Sequence, residues 1–208
     1  MTQHAASALL LAAALQAQNP PAPAAIASKL DTPQARVYVA TLQPRTPARS
    51  PNGHATNRVL VYLDDGVMTV QQGANTETIA FHRGDVRWRP AGGAYVAENT
   101  SDHAIRILEI DLKGQAAGPA PVTALDPVVA DKRHYSVALE NDQVRVLRVH
   151  YDARDTGLQH EHILNRVVVY LNDQPGAKAD EVRMAGAATH VEQNASDQPA
   201  DRLAIEIK

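Results

Sequence analysis

Hydrophobic and polar residues alternate with a period of two in four segments of the chain, residues 36–40, 105–110, 144–149 and 203–207. Successive side chains of a β-strand point to opposite faces, so this pattern predicts strands with one buried face. Asp65-Gly66 separates two further apolar runs, residues 59–63 and 67–70, and predicts a hairpin turn between them. No segment after residue 30 shows a long helical period. The chain is therefore predicted to be all-β.

The second half of the chain repeats the first. Residues 54–65 (HATNRVLVYLDD) recur as residues 162–173 (HILNRVVVYLND), and residues 109–113 (EIDLK) align with residues 204–208 (AIEIK). Such a repeat indicates two similar units in one chain. A unit of about 80 residues is near the lower limit for a self-sufficient core, so we expect the units to pack on each other. The second copy has no counterpart of residues 68–84, which predicts a shortened second unit.

Composition divides the chain further. Residues 5–17 are apolar but too short to span a bilayer, and residues 1–17 are interpreted as a signal peptide. No Lys or Arg precedes this stretch, which leaves a short Ala/Leu helix or a disordered leader as the alternative. Linkers are predicted at 18–30 and 114–130, around a first unit at 31–113 and a second at 131–208. We expect a periplasmic or secreted protein, or otherwise a cytoplasmic one.

The composition restricts the chemistry. The chain has no cysteine, so any metal must be held by histidines and carboxylates. Aromatic residues make up 4% of the chain, so the core must consist mainly of Val, Ile, Leu and Ala. The formal net charge is -3 and basic residues do not cluster, which argues against nucleic acid as a partner.

Three histidines supply the candidate chemistry. His160 and His162 are two residues apart, so on a strand both side chains face the same side, and His190 follows later in the same unit. Three neutral imidazoles at a concave pocket suit a divalent transition metal with coordination positions left open. By the same alternation, Glu161 and Glu192 are expected to face away from the pocket, toward solvent.

The spacing of these residues resembles the motifs of the cupin superfamily, G-x5-H-x-H-x3,4-E-x6-G and G-x5-P-x-G-x2-H-x3-N. The matching positions are Gly84, Pro90, Gly92 and Asn99 in the first copy and His160, His162, His190 and Asn194 in the second. The resemblance covers residues 31–208. It implies a bicupin, with two tandem jelly-roll β-barrels packed as an internal pseudo-dimer. In cupins, the histidines and the glutamate of these motifs usually hold Fe, Mn, Zn, Ni or Cu.

Both copies depart from the cupin motifs. Arg166 in the second copy and Arg58 in the first stand at the usual glutamate position, and a guanidinium cannot bind a metal. Arg166 is therefore expected either to turn away or to anchor an anionic substrate. Asn52 and Tyr95 replace two of the ligands in the first copy, where only His54 keeps its place. We expect this first site to be degenerate.

Other polar residues are given supporting roles or none. Asn194 is expected to donate second-shell hydrogen bonds, and His150 is a candidate for the pocket wall. His82, His103 and His134 lie in predicted turns or at strand ends and are expected to be solvent-exposed. No residue is identified as catalytic.

The resemblance implies a metal-dependent enzyme, dioxygenase- or isomerase-like, that acts on a small polar molecule. The alternative is a non-catalytic small-molecule-binding or structural cupin without metal. A small-molecule ligand is the expected partner, with no nucleic acid and no membrane span after cleavage of the leader. A homodimer is compatible with this arrangement.

Overall fold

The computed structural model describes residues 22–49 and 55–208. The predicted signal peptide and two residues of the degenerate first site, Asn52 and His54, lie outside the described residues. The described part contains seventeen strands and one four-residue helix, so the all-β prediction is confirmed. No helix in that part of the chain is long and apolar enough to cross a membrane.

The first half of the chain contributes ten strands, which are β1 (Ala22–Pro23), β2 (Ala25–Asp31), β3 (Ala35–Leu42), β4 (Pro47–Arg49), β5 (Arg58–Tyr62), β6 (Gly66–Gln72), β7 (Asn75–Phe81), β8 (Val86–Arg89), β9 (Val96–Asn99) and β10 (Ile105–Leu112). The second half contributes helix α1 (Pro127–Ala130) and the strands β11 (Tyr135–Glu140), β12 (Val144–Tyr151), β13 (His160–His162), β14 (Arg166–Tyr170), β15 (Val182–Ala185), β16 (Ala188–His190) and β17 (Ala200–Ile207).

The strands of the first half form two five-stranded sheets, in the orders β1-β4-β9-β6-β7 and β2-β3-β10-β5-β8. An apolar cluster with members from both sheets fills the space between them. It includes Leu60, Met68, Phe81, Tyr95 and Ile107. The first half is therefore a closed sandwich with its own core.

The second half repeats one of these sheets and reduces the other. Its five-stranded sheet, β11-β12-β17-β14-β15, has the same arrangement as β2-β3-β10-β5-β8. Its second sheet contains only the antiparallel pair β13-β16. The β6-β7 hairpin of the first half has no counterpart, so the predicted shortening is present and the interior of the second half is less covered.

The predicted hairpin at Asp65-Gly66 is wrong. Strand β5, before this dipeptide, pairs with β8 and β10, whereas β6, after it, pairs with β7 and β9 in the other sheet. The chain therefore crosses between sheets here. Glycine is needed at 66 for a packing reason, because a Cβ atom would lie 2.9 Å from the Ile105 side chain. The hairpin turn of this region is at Gly73, where φ is +61°.

The linker predicted at 18–30 is shorter in the structure, because β2 begins at Ala25 and pairs with β3 over most of its length. Most of β2 is exposed, so it lacks the alternating pattern that marks a half-buried strand. The linker at 114–130 likewise ends in helix α1, whose first turn is capped by the Asp126 side chain through a hydrogen bond from Val128 N.

The two halves pack on each other through the matching five-stranded sheets. One apolar cluster draws on strands β3, β5 and β10 of the first half and on β12, β14 and β17 of the second. Its buried members include Val37, Val59, Leu108, Val146 and Ile205. Neither half could keep these side chains out of water alone, so the cluster stabilises both halves.

Two hydrogen bonds cross between the halves in a reciprocal way. Asn57 of the first half donates to Gln143 of the second at 2.8 Å, and Asn165 of the second donates to Gln34 of the first at 2.8 Å. Asn57 and Asn165 occupy the same position in the repeat. Each half therefore gives and receives the same bond, as the subunits of a twofold dimer do.

An ion-pair cluster also joins the halves. Asp180 of the second half accepts hydrogen bonds from Arg83 at 2.5 Å and from Arg106 at 2.6 Å, both from the first half. Asp180 has a positive φ of 65°, a backbone conformation that Asp and Asn tolerate better than most residues. Asp180 therefore bridges the halves at a position where its own backbone conformation restricts replacement.

We expect Asp180→Asn to lower the free energy of unfolding by about 1 kcal/mol at low salt, because the charge is lost while the backbone conformation remains allowed. Urea unfolding followed by circular dichroism measures this. Asp173→Asn is the matched control, since Asp173 pairs with the exposed Lys178 and accepts a hydrogen bond from Ala179 N, both on its own segment. Equal losses in both variants would contradict a bridging role for Asp180.

Candidate metal centre

Strands β13 and β16 bring the three candidate histidines together. His160 lies directly opposite His190 in the antiparallel pair, so both side chains stand on one face of this small sheet. His162 lies two residues after His160 and faces the same side. His160 and His162 are buried and His190 is half-buried. The strand alternation used in the prediction therefore holds for this pair.

The three imidazoles surround one point. One ring nitrogen from each histidine lies within 4.8 Å of the other two, and Nε2 of His160 is 2.9 Å from Nε2 of His190. Two nitrogens that are each about 2.1 Å from a shared cation, at right angles, are about 3 Å apart. The rings cross at 72° to 86°, so they meet at their edges rather than stack. The spacing fits metal ligation.

The hydrogen bonds of two of the rings orient them for this role. Nδ1 of His160 donates to the carbonyl oxygen of Leu158 at 2.9 Å, and Nδ1 of His162 donates to Oε1 of Glu206 at 2.8 Å. A neutral imidazole that donates through Nδ1 keeps the lone pair on Nε2. Both rings therefore present their Nε2 atoms as acceptors.

Glu206 is the functional residue that sequence reasoning missed. It is fully buried, and Arg145 donates to its second oxygen through Nε at 2.7 Å. Burial opposes its ionisation, but the hydrogen bonds from His162 and Arg145 hold its pKa below the ordinary value. The repeat contained a signal, because Asp111 of the first half aligns with Glu206 and pairs with Arg36 at 2.8 Å.

The histidines are held in the state that a metal requires. Burial lowers the pKa of His162, and the charge of Arg166 acts in the same direction. Burial also lowers the pKa of His190, with a further contribution from His160. Both rings are therefore neutral at neutral pH, and a cation does not have to displace protons from them.

A cavity of about 180 Å³ opens beside the histidines. Its polar wall consists of Tyr135, His162, Arg166, Tyr170, His190, Glu192 and Arg202, and its apolar wall of Val149, Val168, Ala185 and Ala204. It has room for a small organic molecule that contacts both the histidines and charged side chains.

The expectation that Glu192 faces solvent is wrong. Its side chain accepts hydrogen bonds from the Tyr135 hydroxyl at 2.9 Å and from the Arg202 guanidinium. Burial opposes ionisation of Glu192, but Arg202 and Tyr135 hold its pKa below the ordinary value. Strand β16 ends at His190, so the alternation that was assumed for Glu192 does not extend to it. Glu161 lies within β13 and is half-buried.

Tyr135 connects this pair to the histidines. Its hydroxyl lies 3.0 Å from Nε2 of His160 and donates to Glu192. Burial and the charge of Glu192 raise the pKa of Tyr135, so the hydroxyl stays protonated. Tyr135 therefore places a neutral O–H group next to the point that the three rings surround.

Arg166 is buried and lines the cavity, so it does not turn away. It donates to the carbonyl oxygen of Gly186 at 2.6 Å. Burial lowers its pKa, but an arginine remains charged in a protein. Arg166 thus brings a positive charge to the cavity that the histidines also line.

The other two residues given supporting roles lie elsewhere. Asn194 is buried, but its side-chain amide donates to the backbone oxygens of Asp152 and Gln198 and fixes loops. His150 is exposed and pairs with Asp201, so it does not line the cavity. Its position on β12 places it on the outer face.

The prediction that His134 is solvent-exposed is wrong. It is 5% exposed and stacks on the Tyr151 ring. Its Nδ1 lies 2.6 Å from Oδ1 of Asp131, and its Nε2 lies 3.0 Å from Oδ2 of Asp155. It lies just before β11, a position at which the alternating pattern carries no information. His82 and His103 are exposed as predicted.

The interior of the first half is built differently. Tyr95, the described residue of the degenerate site, is buried with its ring beside the guanidinium of Arg58. Arg58 is fully buried and pairs with Glu109 at 2.6 Å. Protein side chains therefore occupy the space around Arg58.

Together, the fold and the site define an all-β protein with three histidines that converge beside a small charged cavity. No family model and no curated protein sequence matches the chain. Solved structures do resemble it. A cupin 2 conserved barrel domain protein from Leptotrichia buccalis superposes with a TM-score of 0.54 at 13% identity, over 92% of each chain.

Two enzymes show the same likeness. Salicylate 1,2-dioxygenase from Pseudaminobacter salicylatoxidans has a TM-score of 0.57 at 10% identity, over 89% of this chain and 80% of that one. HEPD from Streptomyces albus, solved with 2-hydroxyethylphosphonate and Fe(II), has a TM-score of 0.61 at 9% identity, over 88% and 70%. The protein therefore has the cupin fold, as the motifs predicted.

We expect Glu206→Gln to weaken divalent-metal binding by about 10- to 100-fold, because His162 loses the carboxylate that orients its ring and makes it a better donor. Competition with a chromophoric chelator measures the affinity for Zn(II). Asp126→Asn is the matched control, because Asp126 is the other buried carboxylate that pairs with Arg145 and does not contact His162. Equal affinities of Glu206→Gln and the native protein would exclude the orienting role.

Proposed function

We propose that this protein is a metal-dependent cupin enzyme that acts on a small polar molecule. Nε2 atoms of His160 and His162, together with His190, would hold one divalent transition metal. The observation that carries the proposal is that both Nδ1–H groups are bound, to Leu158 and to Glu206, which leaves the Nε2 lone pairs of His160 and His162 available to a cation beside His190.

The donor set fits such a metal. Imidazole nitrogen is a good ligand for Fe, Zn, Ni and Cu, and three protein ligands leave positions for water or substrate. Mn also occurs in cupins, and the donor set does not choose among these metals. In place of the cupin glutamate, Glu206 brings a negative charge. It would not bind the metal itself but accepts a hydrogen bond from His162.

A metal in this position supplies Lewis-acid or redox chemistry. The chain's own residues bind and orient the substrate beside it. Tyr135 holds a proton on its hydroxyl oxygen, 3.0 Å from Nε2 of His160. Glu192 accepts that hydroxyl hydrogen bond and fixes the direction of the O–H group. Arg202 neutralises Glu192, so the pair adds no net charge to the cavity.

The structural likeness to two enzymes favours an enzymatic function over a purely structural one. One superposed structure is a dioxygenase by its description, and another contains Fe(II) and a small anionic substrate. Folds of this kind serve many functions, so the argument for catalysis rests on the site itself. Export to the periplasm, a small-molecule partner and a homodimer remain proposals from the sequence.

We expect the purified native protein to contain about one equivalent of a divalent transition metal, and the triple variant of His160, His162 and His190 to alanine to contain almost none. Elemental analysis of both proteins after identical expression measures this. Reconstitution of metal-free protein with Co(II) adds a second readout, the visible absorption of the metal with its nitrogen ligands.

The matched control is a triple alanine variant of His82, His103 and His150, three exposed histidines outside the cavity. It should retain the metal and the Co(II) spectrum. Equal, substoichiometric metal in the native protein and the site variant would favour the non-catalytic alternative, a binding or structural cupin without metal.

A further inference from the structure

Arg58 and Arg166 occupy the same position of the repeat. In the first half, Arg58 forms a buried ion pair. Arg58 donates to Glu109 at 2.6 Å, and Tyr38 donates to the same carboxylate oxygen at 2.9 Å. Arg58 and Glu109 are at most 4% exposed. A carboxylate at this place satisfies a guanidinium that burial would otherwise leave costly.

The second half keeps the arginine and loses the carboxylate. Glu109 lies opposite Tyr38 and Leu60 on the neighbouring strands, and Ala204 lies opposite Leu147 and Val168 in the same register. The repeat therefore places Ala204 where the first half has Glu109. It also removes the supporting hydroxyl, because Leu147 stands in place of Tyr38.

Arg166 is the counterpart of Arg58 and is 6% exposed. Among the described residues, no carboxylate lies within 4.0 Å of its guanidinium, and its hydrogen bond goes to a neutral backbone oxygen, that of Gly186. Arg202 differs, because Glu192 already neutralises it. Arg166 is thus the buried cation of this cavity that forms no ion pair within 4.0 Å, although the charges of Glu206 and Glu192 act on it from further away.

We propose that the cavity is a carboxylate-binding subsite, in which the carboxylate of a small organic acid binds Arg166 in the place that Glu109 occupies in the first half. This inference rests on the proposed function, since it names the substrate class of that same site. Ala204 leaves the space, and Ala204 and Arg166 line the same cavity as His162 and His190.

The rest of the cavity suits the remainder of such a molecule. Val149, Val168 and Ala185 provide apolar contact, and the volume of about 180 Å³ admits a short or branched acid. The cavity shares Tyr170, Glu192 and Arg202 with a second cavity of about 220 Å³.

The test uses metal-free protein, so that it does not depend on the metal. Isobutyrate and benzoate are titrated into the protein, with isobutyramide and benzamide as neutral analogues of the same shape. We expect the acids to bind about 10- to 100-fold more tightly than the amides, because the amide lacks the negative charge and has one acceptor oxygen instead of two. Protein-observed NMR and calorimetry measure both.

Two variants locate the binding. Arg166→Met should abolish the preference for the acids without lowering the melting temperature, because an unpaired buried charge is removed. Ala204→Glu should abolish acid binding as well, because the introduced carboxylate takes the place of the ligand. Arg154→Met is the matched control, an exposed arginine of the same half that pairs with Asp197 outside the cavity, and it should bind like the native protein.

The outcomes separate the two claims. Acid binding that is retained in Arg166→Met, or acids and amides that bind the native protein equally, would overturn the carboxylate subsite even if metal binds at the histidines. Acid binding that depends on Arg166, in a protein that contains no metal as purified and takes up no Co(II) on reconstitution, would support the subsite and refute the enzyme proposal. If Ala204→Glu does not fold, Arg166→Met and its control decide the matter.

Discussion

The structure depends on burial of the apolar faces of two equivalent five-stranded sheets against each other. Every residue of strand β5 is buried, and so is nearly every residue of β10, because these strands contact one core on each face. One of these cores is shared between the halves. Each half is too small to cover such a sheet alone, so the duplication provides the missing layer. The reciprocal bonds of Asn57 and Asn165 then set the register of the two halves.

This shared frame lets the two interiors diverge. The outer faces of the matching sheets must remain apolar in both halves, whereas the inner faces are free to change. In the first half, Tyr38, Arg58 and Glu109 bind one another next to the apolar cluster. The second half has Ala204 in place of Glu109 and a cavity lined by an arginine that forms no ion pair within 4.0 Å. A closed ion pair and an open pocket therefore arise on the same scaffold, from one acidic residue kept or lost.

A second acidic position is kept in both halves. Asp111 of the first half pairs with Arg36, and Glu206 of the second half binds both Arg145 and His162. A buried carboxylate that binds two donors holds both in place, and one of them is a histidine of the candidate metal centre. Glu206 accordingly connects the core of the second half to its chemistry.

The sequence alone determined the strands, the duplication and the grouping of three histidines. Strand alternation fixes which residues share a face, so His160 and His162 had to lie together wherever a strand formed. The resemblance to the cupin motif placed Arg166 at the usual glutamate position, and the repeat placed Arg58 at the same position of the first copy. These conclusions depend on local periodicity, on comparison of the two copies or on motif spacing, and none requires knowledge of which strands pair.

Only the tertiary structure decided the partners. Glu206 is distant from His162 in the chain, and β17 must pair with β14 before the two side chains meet. Glu192 follows a three-residue strand, so its direction depends on Arg202 and Tyr135 rather than on alternation. The crossing at Gly66 looked like a hairpin, because a dipeptide cannot reveal that its flanking strands belong to different sheets. Long-range pairing, which local sequence does not encode, made the site.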